Sequence, residues 1–244
     1  MAAMNIKINR PMDLAHYIDH ANLSPSAKAE EIKKLCEEAR KYHFCSVCIR
    51  PNMVELARDL LGESVVKICA VVGFPKESAS PDNCHFGSVP TAEKIIDAEE
   101  ALEDGADELD MVINLDALRK CDYEAVEKDI AAVKKVAGEK VLKVVIEAAI
   151  LTDEQKKKAC QIAQRAGADF VKTSTGFLKD KEGKTLGATV EDVKLMRNTV
   201  GPDIGVKASG GIRDFEKAKA LIESGANRLG SSASLQIVGA VKEG

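Results

Sequence analysis

The sequence predicts an α/β protein, a single TIM-type (β/α)8 barrel spanning residues 1–244. Three observations carry this reading. One phrase recurs: Asp104-Gly-Ala-Asp-Glu-Leu109, Ala166-Gly-Ala-Asp-Phe-Val171 and Ser224-Gly-Ala-Asn-Arg-Leu229, each after an amphipathic helical pattern and before an apolar segment. Its glycine suits the left-handed residue that ends a helix, so the phrase reads as a helix-to-strand turn. The glycines at 105, 167 and 225 stand 62 and 58 residues apart. One strand plus one helix takes roughly 30 residues, so each interval holds two βα units and eight units fill the chain. Finally, the strand-like runs are near-continuously apolar, as in a parallel sheet covered on both faces.

In chain order, strands are expected at 17–20, 45–49, 66–72, 108–113, 141–146, 169–173, 204–208 and 227–229, with helical patterns between them. Thr152 with Gln155 three residues on forms a capping box. Asp214 suits the start of the helix that ends before Gly225. No stretch has the composition of an interdomain linker. The one long loop, 176–188, is rich in Lys and Gly and belongs either to the catalytic rim of the barrel or to a flexible surface.

Composition fits this picture. Hydrophobic residues are 45% and charged residues 30%, ordinary for a soluble globular chain, but aromatics are only 4% and Trp is absent. The core must therefore be built from Val, Ile, Leu and Ala, which fill barrel interiors. A net charge of −4 without a long basic run argues against nucleic-acid binding. The longest apolar stretch, 65–74, is interrupted by Lys67 and is too short to cross a bilayer, so no membrane partner is expected. Met1 to Met12 lack the apolar run of a signal peptide, and seven cysteines, an odd number, suggest reduced thiols; a cytoplasmic protein is expected. Cys45 and Cys48 form a C-x-x-C, but residues three apart on a strand face opposite ways and should not share a metal ion.

Charge inside an apolar strand needs an explanation. Lys172, in Phe170-Val-Lys-Thr-Ser174, and Lys207, in Gly205-Val-Lys-Ala-Ser209, both lie near the C-terminal ends of strands, where barrel active sites are built. Neighbouring inward lysines disfavour each other's charge and burial acts the same way, which frees an amine to attack a carbonyl. Asp110, in the fourth strand, needs a cationic partner and would hold Lys207 charged while passing protons through water. Asp19 at the end of the first strand poses the same question. Lys143 and Glu147 of the fifth strand are weaker candidates. Gly210-Gly211 after the seventh strand and Gly230-Ser231-Ser232 after the eighth have the character of a barrel phosphate site, because glycines let backbone N–H groups reach the oxygens. Together these features describe an enzyme that forms an imine with a phosphorylated carbonyl metabolite, with either lysine as the imine former.

The sequence here resembles the deoxyribose-phosphate aldolase family. The matching phrases are Tyr17-Ile-Asp-His-Ala-Asn-Leu23, Val47-Cys-Ile-Arg-Pro51, Val71-Val-Gly-Phe-Pro75, Glu108-Leu-Asp-Met-Val-Ile-Asn114, Phe170-Val-Lys-Thr-Ser-Thr-Gly176 and Val206-Lys-Ala-Ser-Gly-Gly-Ile-Arg213. The resemblance implies a class I aldolase with no cofactor and no metal. It would act on small phosphorylated sugar and aldehyde substrates, cleaving 2-deoxy-D-ribose 5-phosphate to D-glyceraldehyde 3-phosphate and acetaldehyde in deoxyribonucleotide catabolism, as a homo-oligomer (dimer or tetramer). It makes Lys172 the Schiff-base lysine, Lys207 its electrostatic partner and Asp110 part of a proton relay. Asp19 and Cys48 would line the pocket, and Gly176, Gly210, Gly211, Gly230, Ser231 and Ser232 would complete the substrate-binding set. Three departures stand out. Ala21 occupies a position that often carries Thr. The loop after Gly176 begins Phe177-Leu178 rather than with a phosphate-facing Lys, leaving Lys179, Lys181 or Lys184 to substitute. The chain ends Val241-Lys-Glu-Gly244, without the terminal Tyr of some members. Two rival readings, a phosphate-binding barrel isomerase and a non-catalytic sugar-phosphate binder, leave the strand lysines without a purpose.

Overall fold

The structure is a computed structural model and describes residues 8–240; the expectation about the 241–244 tail lies outside the described residues. Eight strands, β1 (Ile18–Ala21), β2 (Ser46–Ile49), β3 (Lys67–Val72), β4 (Glu108–Val112), β5 (Val141–Val145), β6 (Phe170–Lys172), β7 (Gly205–Ser209) and β8 (Arg228–Ser231), pair in parallel in chain order. The barrel closes where β1 pairs with β8, Asp19 opposite Gly230. Around it run α1 (Ala29–Tyr42), α2 (Val54–Leu61), α3 (Thr91–Glu103), α4 (Leu115–Arg119), α5 (Tyr123–Ala137), α6 (Asp153–Arg165), α7 (Val190–Val200), α8 (Phe215–Glu223) and α9 (Ser234–Ile237). The core is aliphatic: Ile18, Val47, Ile68, Leu109, Val144, Val171, Val206 and Leu229 are fully buried, one from each strand.

Each expected strand is present, with edges that differ for local reasons. Tyr17 belongs to a 3-10 turn, Pro11–Tyr17, opened by a proline whose fixed φ suits a first helical position. β8 runs on to Ser231 because Gly230 continues the ladder to β7 and Ser231 the ladder to β1. The Thr152–Gln155 capping box opens α6, with Oγ1 of Thr152 accepting from the Gln155 N–H and the Gln155 side chain accepting from the Thr152 N–H. Asp214 caps α8 by accepting from the Lys217 N–H.

The repeated turn enters β4, β6 and β8. Gly105, Gly167 and Gly225 have φ of 102°, 88° and 115°, the left-handed region in which a side chain is strained. Two residues on, the N–H of Asp107, Asp169 and Asn227 donates to Ile68, Leu142 and Val206 of the preceding strand, at 2.8, 2.9 and 2.7 Å. A cation on an earlier helix clasps each turn: Arg58 holds Gly105 and Asp107, Lys134 holds Asp169, and Arg197 holds Gly225 and Asn227. A fourth copy enters β2. His43 is left-handed at φ 55°, and the Cys45 N–H donates to Ile18 at 2.9 Å. Every even-numbered strand thus starts from the same backbone turn. These turns sit at the N-terminal end of the barrel and leave the C-terminal end to the loops that build a site.

Candidate active site

A cavity of about 780 Å³ opens at the C-terminal ends of the strands. Lys172 and Lys207 are direct partners on β6 and β7 and both point inward to it. Asp110 of β4 lies below them, fully buried. Its Oδ2 accepts from Lys172 Nζ and from Lys207 Nζ, each at 2.7 Å, and its Oδ1 accepts from Lys143 Nζ at 2.9 Å and Cys69 Sγ at 3.1 Å. Deeper in the barrel, Lys207 pairs with Asp19 at 2.5 Å, Asp19 with Arg228, Arg228 with Glu108 at 3.0 Å, and Glu108 with Lys143 at 2.7 Å. β-strand alternation explains this assembly, because Glu108 and Asp110 are two apart and share the inner face.

The electrostatics follow from the contacts. Burial pushes the Asp110 carboxyl up, but Lys143, Lys172 and Lys207 outweigh it and hold the group well below its ordinary range. Burial also opposes charge on Lys207, yet Asp110 and Asp19 hold its ammonium well above the usual lysine value. For Lys207 this reverses the expectation that paired inward lysines depress each other: the carboxylates beneath decide. Asp19 and Glu108 are likewise raised by burial and lowered further by their cations. Three carboxylates, Asp19, Glu108 and Asp110, therefore balance three deeply placed cations, Lys143, Lys207 and Arg228. Lys67 also reaches Glu108, but it is about half exposed and screened by solvent. Lys172 is the cation beyond that balance. Cys48, Cys69 and Asp110 do bring three ligand atoms within 4.8 Å of one another, but the three ammonium groups on Asp110 already supply the positive charge that a metal ion would bring.

The cavity is lined by Cys48, Lys172, Gly176, Lys207, Gly210, Gly211, Gly230, Ser231 and Ser232. Asp19 does not line it. It is fully buried beneath Lys207, drawn into the layer of Arg228. Gly210 and Gly187 meet backbone to backbone, and a Cβ on Gly187 would lie 2.2 Å from the Gly210 oxygen, so neither site has room for a side chain. This contact ties down the 176–188 loop, which Ala79–Leu178 and Lys179–Thr185 bridges also hold. Lys179 reaches the cavity and donates to Thr185 Oγ1, while Lys181 and Lys184 do not line it. Ala21 lines the cavity with a methyl group where the resemblance leads one to expect a hydroxyl. The two C-x-x-C thiols part company: Cys48 points at Asp110 together with Cys69 of β3, its direct partner in the sheet.

Several residues escaped the sequence reading. Arg228 was hidden inside the third turn phrase, although a strand-borne Arg signals an inner cation. Lys143, named only as a weaker candidate, carried the same signal as Lys172 but lacked a glycine-rich sequel. Phe74, whose ring centroid is 5.4 Å from Lys172 Nζ, and Thr175, on the cavity wall, have no charge to betray them.

Comparison with known proteins places this architecture. Residues 10–239 match the model of the family described as DeoC/LacD family aldolase. The chain belongs to that family. A deoxyribose-phosphate aldolase from Thermococcus gammatolerans is 54% identical over 231 residues, covering 93% of this chain and 96% of the relative. One from Streptococcus gordonii is 50% identical over 227 residues, again covering 93% and 96%. Among solved structures, the tetrameric deoxyribose phosphate aldolase from Aeropyrum pernix superposes with a TM-score of 0.80 at 33% identity, covering 94% of this aldolase and 91% of that chain. The buried lysine–carboxylate cluster at the C-terminal end of the barrel is thus the candidate active site of an aldolase.

Proposed function

We propose that this aldolase reversibly cleaves 2-deoxy-D-ribose 5-phosphate into D-glyceraldehyde 3-phosphate and acetaldehyde through a Schiff base on Lys172. The observation that carries the reading is Lys172 itself, a buried amine in excess of the carboxylates around it, at the floor of the cavity. A neutral amine attacks the C1 aldehyde of the open-chain sugar, and loss of water leaves an imine. The imine draws electrons from the C2–C3 bond. As the C3 hydroxyl gives up its proton, that bond breaks, releasing D-glyceraldehyde 3-phosphate and leaving an enamine. Protonation at C2 and hydrolysis then release acetaldehyde and restore the amine. Asp110 accepts from both Lys172 and Lys207, so Asp110 and Lys207 have the position to hold and move these protons. Gly210, Gly211, Ser231 and Ser232, also in the cavity lining, offer backbone N–H groups and the Ser232 hydroxyl to the phosphate, with Gly176 and Gly230 leaving room for it. Cys48 closes the wall beside Asp110.

An isomerase or a simple sugar-phosphate binder would give the excess amine no task. The names of the relatives support the substrate, and the Aeropyrum pernix tetramer supports a homo-oligomer here. The same reading places the enzyme in the cytoplasm, in deoxyribonucleotide catabolism. Borohydride reduction in the presence of acetaldehyde, followed by peptide mass spectrometry, tests the mechanism: an ethyl group is expected on Lys172. Lys172→Ala is expected to abolish cleavage with an unchanged circular dichroism spectrum. Turnover without any adduct at Lys172 would overturn the imine.

A further inference from the structure

We infer that Glu147 is a positioning residue of this site, bracing the Thr175–Phe177 wall of the cavity beside Lys172. The inference rests on the reading of Lys172 as the imine former. Glu147 follows β5 and is fully buried. Its backbone is left-handed at φ 54° and ψ 58°, a conformation that costs a non-glycine residue energy and persists only where the surroundings enforce it. Backbone hydrogen bonds on both sides enforce it. Ala148 N–H donates to the Thr173 carbonyl at 2.8 Å, and Ile146 N–H to the Lys172 carbonyl at 2.9 Å. Between them, the Glu147 Oε2 accepts from both the N–H and the hydroxyl of Thr175, at 3.0 and 2.7 Å.

Thr175 passes the constraint on. Its Oγ1 accepts from the Phe177 N–H at 3.1 Å. The Phe177 ring meets Phe74 edge-on with centroids 5.6 Å apart, and Phe74 in turn lies against Lys172. Glu147 therefore anchors a chain of contacts that runs around the cavity wall and returns to the reactive amine.

The second oxygen, Oε1, has no hydrogen-bond partner among the described residues although it is buried. A carboxylate with one bare oxygen out of water is costly, whereas the uncharged acid is not. Burial pushes this carboxyl up to about 7, only partly offset by the Thr175 hydrogen bonds and by Lys172. The groups facing it are Lys172 on β6, Thr175 after it, and the Cys84 thiol in the β3–α3 connection, whose carbonyl is held by Arg119 of α4. Burial keeps the Cys84 thiol neutral, so Lys172 is the charge to which Glu147 responds. Below neutral pH the uncharged acid suits this buried position, and above it ionisation leaves Oε1 bare and weakens the brace.

The test is kcat and KM for wild type, for Glu147→Gln, which keeps an oxygen for Thr175, and for Glu147→Ala, which does not. Glu147→Ala is expected to lose about tenfold in kcat/KM through the loosened wall, and Glu147→Gln to stay within about threefold of wild type. If Glu147→Ala does not fold, Glu147→Asp, one methylene short of Thr175, takes its place with the same expected loss. Wild-type kinetics in the variant that lacks the Thr175 contact, or an equal loss in Glu147→Gln, would overturn the role of Glu147. Failure of wild type itself to trap acetaldehyde on Lys172 would instead remove the Schiff-base reading.

Discussion

Asp110 receives hydrogen bonds from three ammonium groups, so its loss leaves Lys172 without its carboxylate and Lys143 and Lys207 with one each. Breaking a buried pair by removing one partner typically costs about 3–5 kcal/mol. Asp110→Asn is therefore expected to lower the midpoint of thermal unfolding by many degrees and, if the proposed proton relay runs through it, to cut kcat by about a hundredfold or more. A variant with wild-type stability would show that the lysines find other partners. Glu147 makes the opposite kind of contribution. Its folded value near 7 lies above the ordinary carboxyl value of 4.5, so between those limits the folded state keeps a proton that the unfolded chain has lost. Stability contributed this way is full at acid pH and is lost as pH rises through 7, by roughly 3 kcal/mol in total. Thermal unfolding midpoints of wild type and Glu147→Gln are expected to diverge in favour of the variant between about pH 5 and about pH 8. A constant offset would mean that Glu147 is ionised throughout.

At the scale of the elements, the turns into the even-numbered strands carry stability rather than chemistry. Gly225 has φ 115°, and a Cβ there would sit 2.9 Å from Cγ of Arg197, the residue that clasps the turn. Gly225→Ala is expected to destabilise by about 1–3 kcal/mol through strain and displacement of Arg197, while kcat per folded molecule stays unchanged because the turn lies at the end of the barrel away from the cavity. A lowered kcat would show that the two ends are coupled. These turns also explain what the sequence made legible. Gly-Ala-Asp, or Gly-Ala-Asn in the third copy, spells the turn by its chemistry, a glycine for the left-handed residue and a side-chain oxygen for the clasping cation, and so its spacing revealed the barrel. The fourth copy uses His43, Phe44 and Cys45, which share the backbone geometry but none of the letters. The site divides in the same way. Lys172, Lys207 and Asp110 were visible because charge within a strand contradicts its surroundings. The depth of Asp19 was not, since a residue that ends a strand gives no sign of whether it faces the cavity or the floor. Glu147 gave none either, because its left-handed backbone and bare oxygen arise from packing between β5 and the turn after β6.

The whole barrel is a container for charge as much as for aliphatic side chains. Its floor holds Asp19, Glu108 and Asp110 against Lys143, Lys207 and Arg228, and all three carboxyls lie below their ordinary values. For carboxyls lowered by folding, the stabilisation is present above the unfolded values near 4 and is lost as pH falls through the folded ones, so acid unfolding should set in below about pH 4. The same balance makes two lysine substitutions of equal size behave differently. Lys207→Met removes a cation shared by Asp110 and Asp19, leaving Asp19 with Arg228 alone; it is expected to lower the unfolding midpoint by several degrees. Lys172→Met removes the cation in excess. Asp110 keeps Lys207 on one oxygen and Lys143 on the other, and a buried polar amine is exchanged for an apolar chain of similar volume. Its midpoint is expected to equal or exceed that of wild type although aldol cleavage is lost. The fold would then be more stable without its reactive group, as expected where an active site is held at the expense of stability. If Lys172→Met proved as unstable as Lys207→Met, Lys172 would be a structural member of the ion cluster and not its surplus amine.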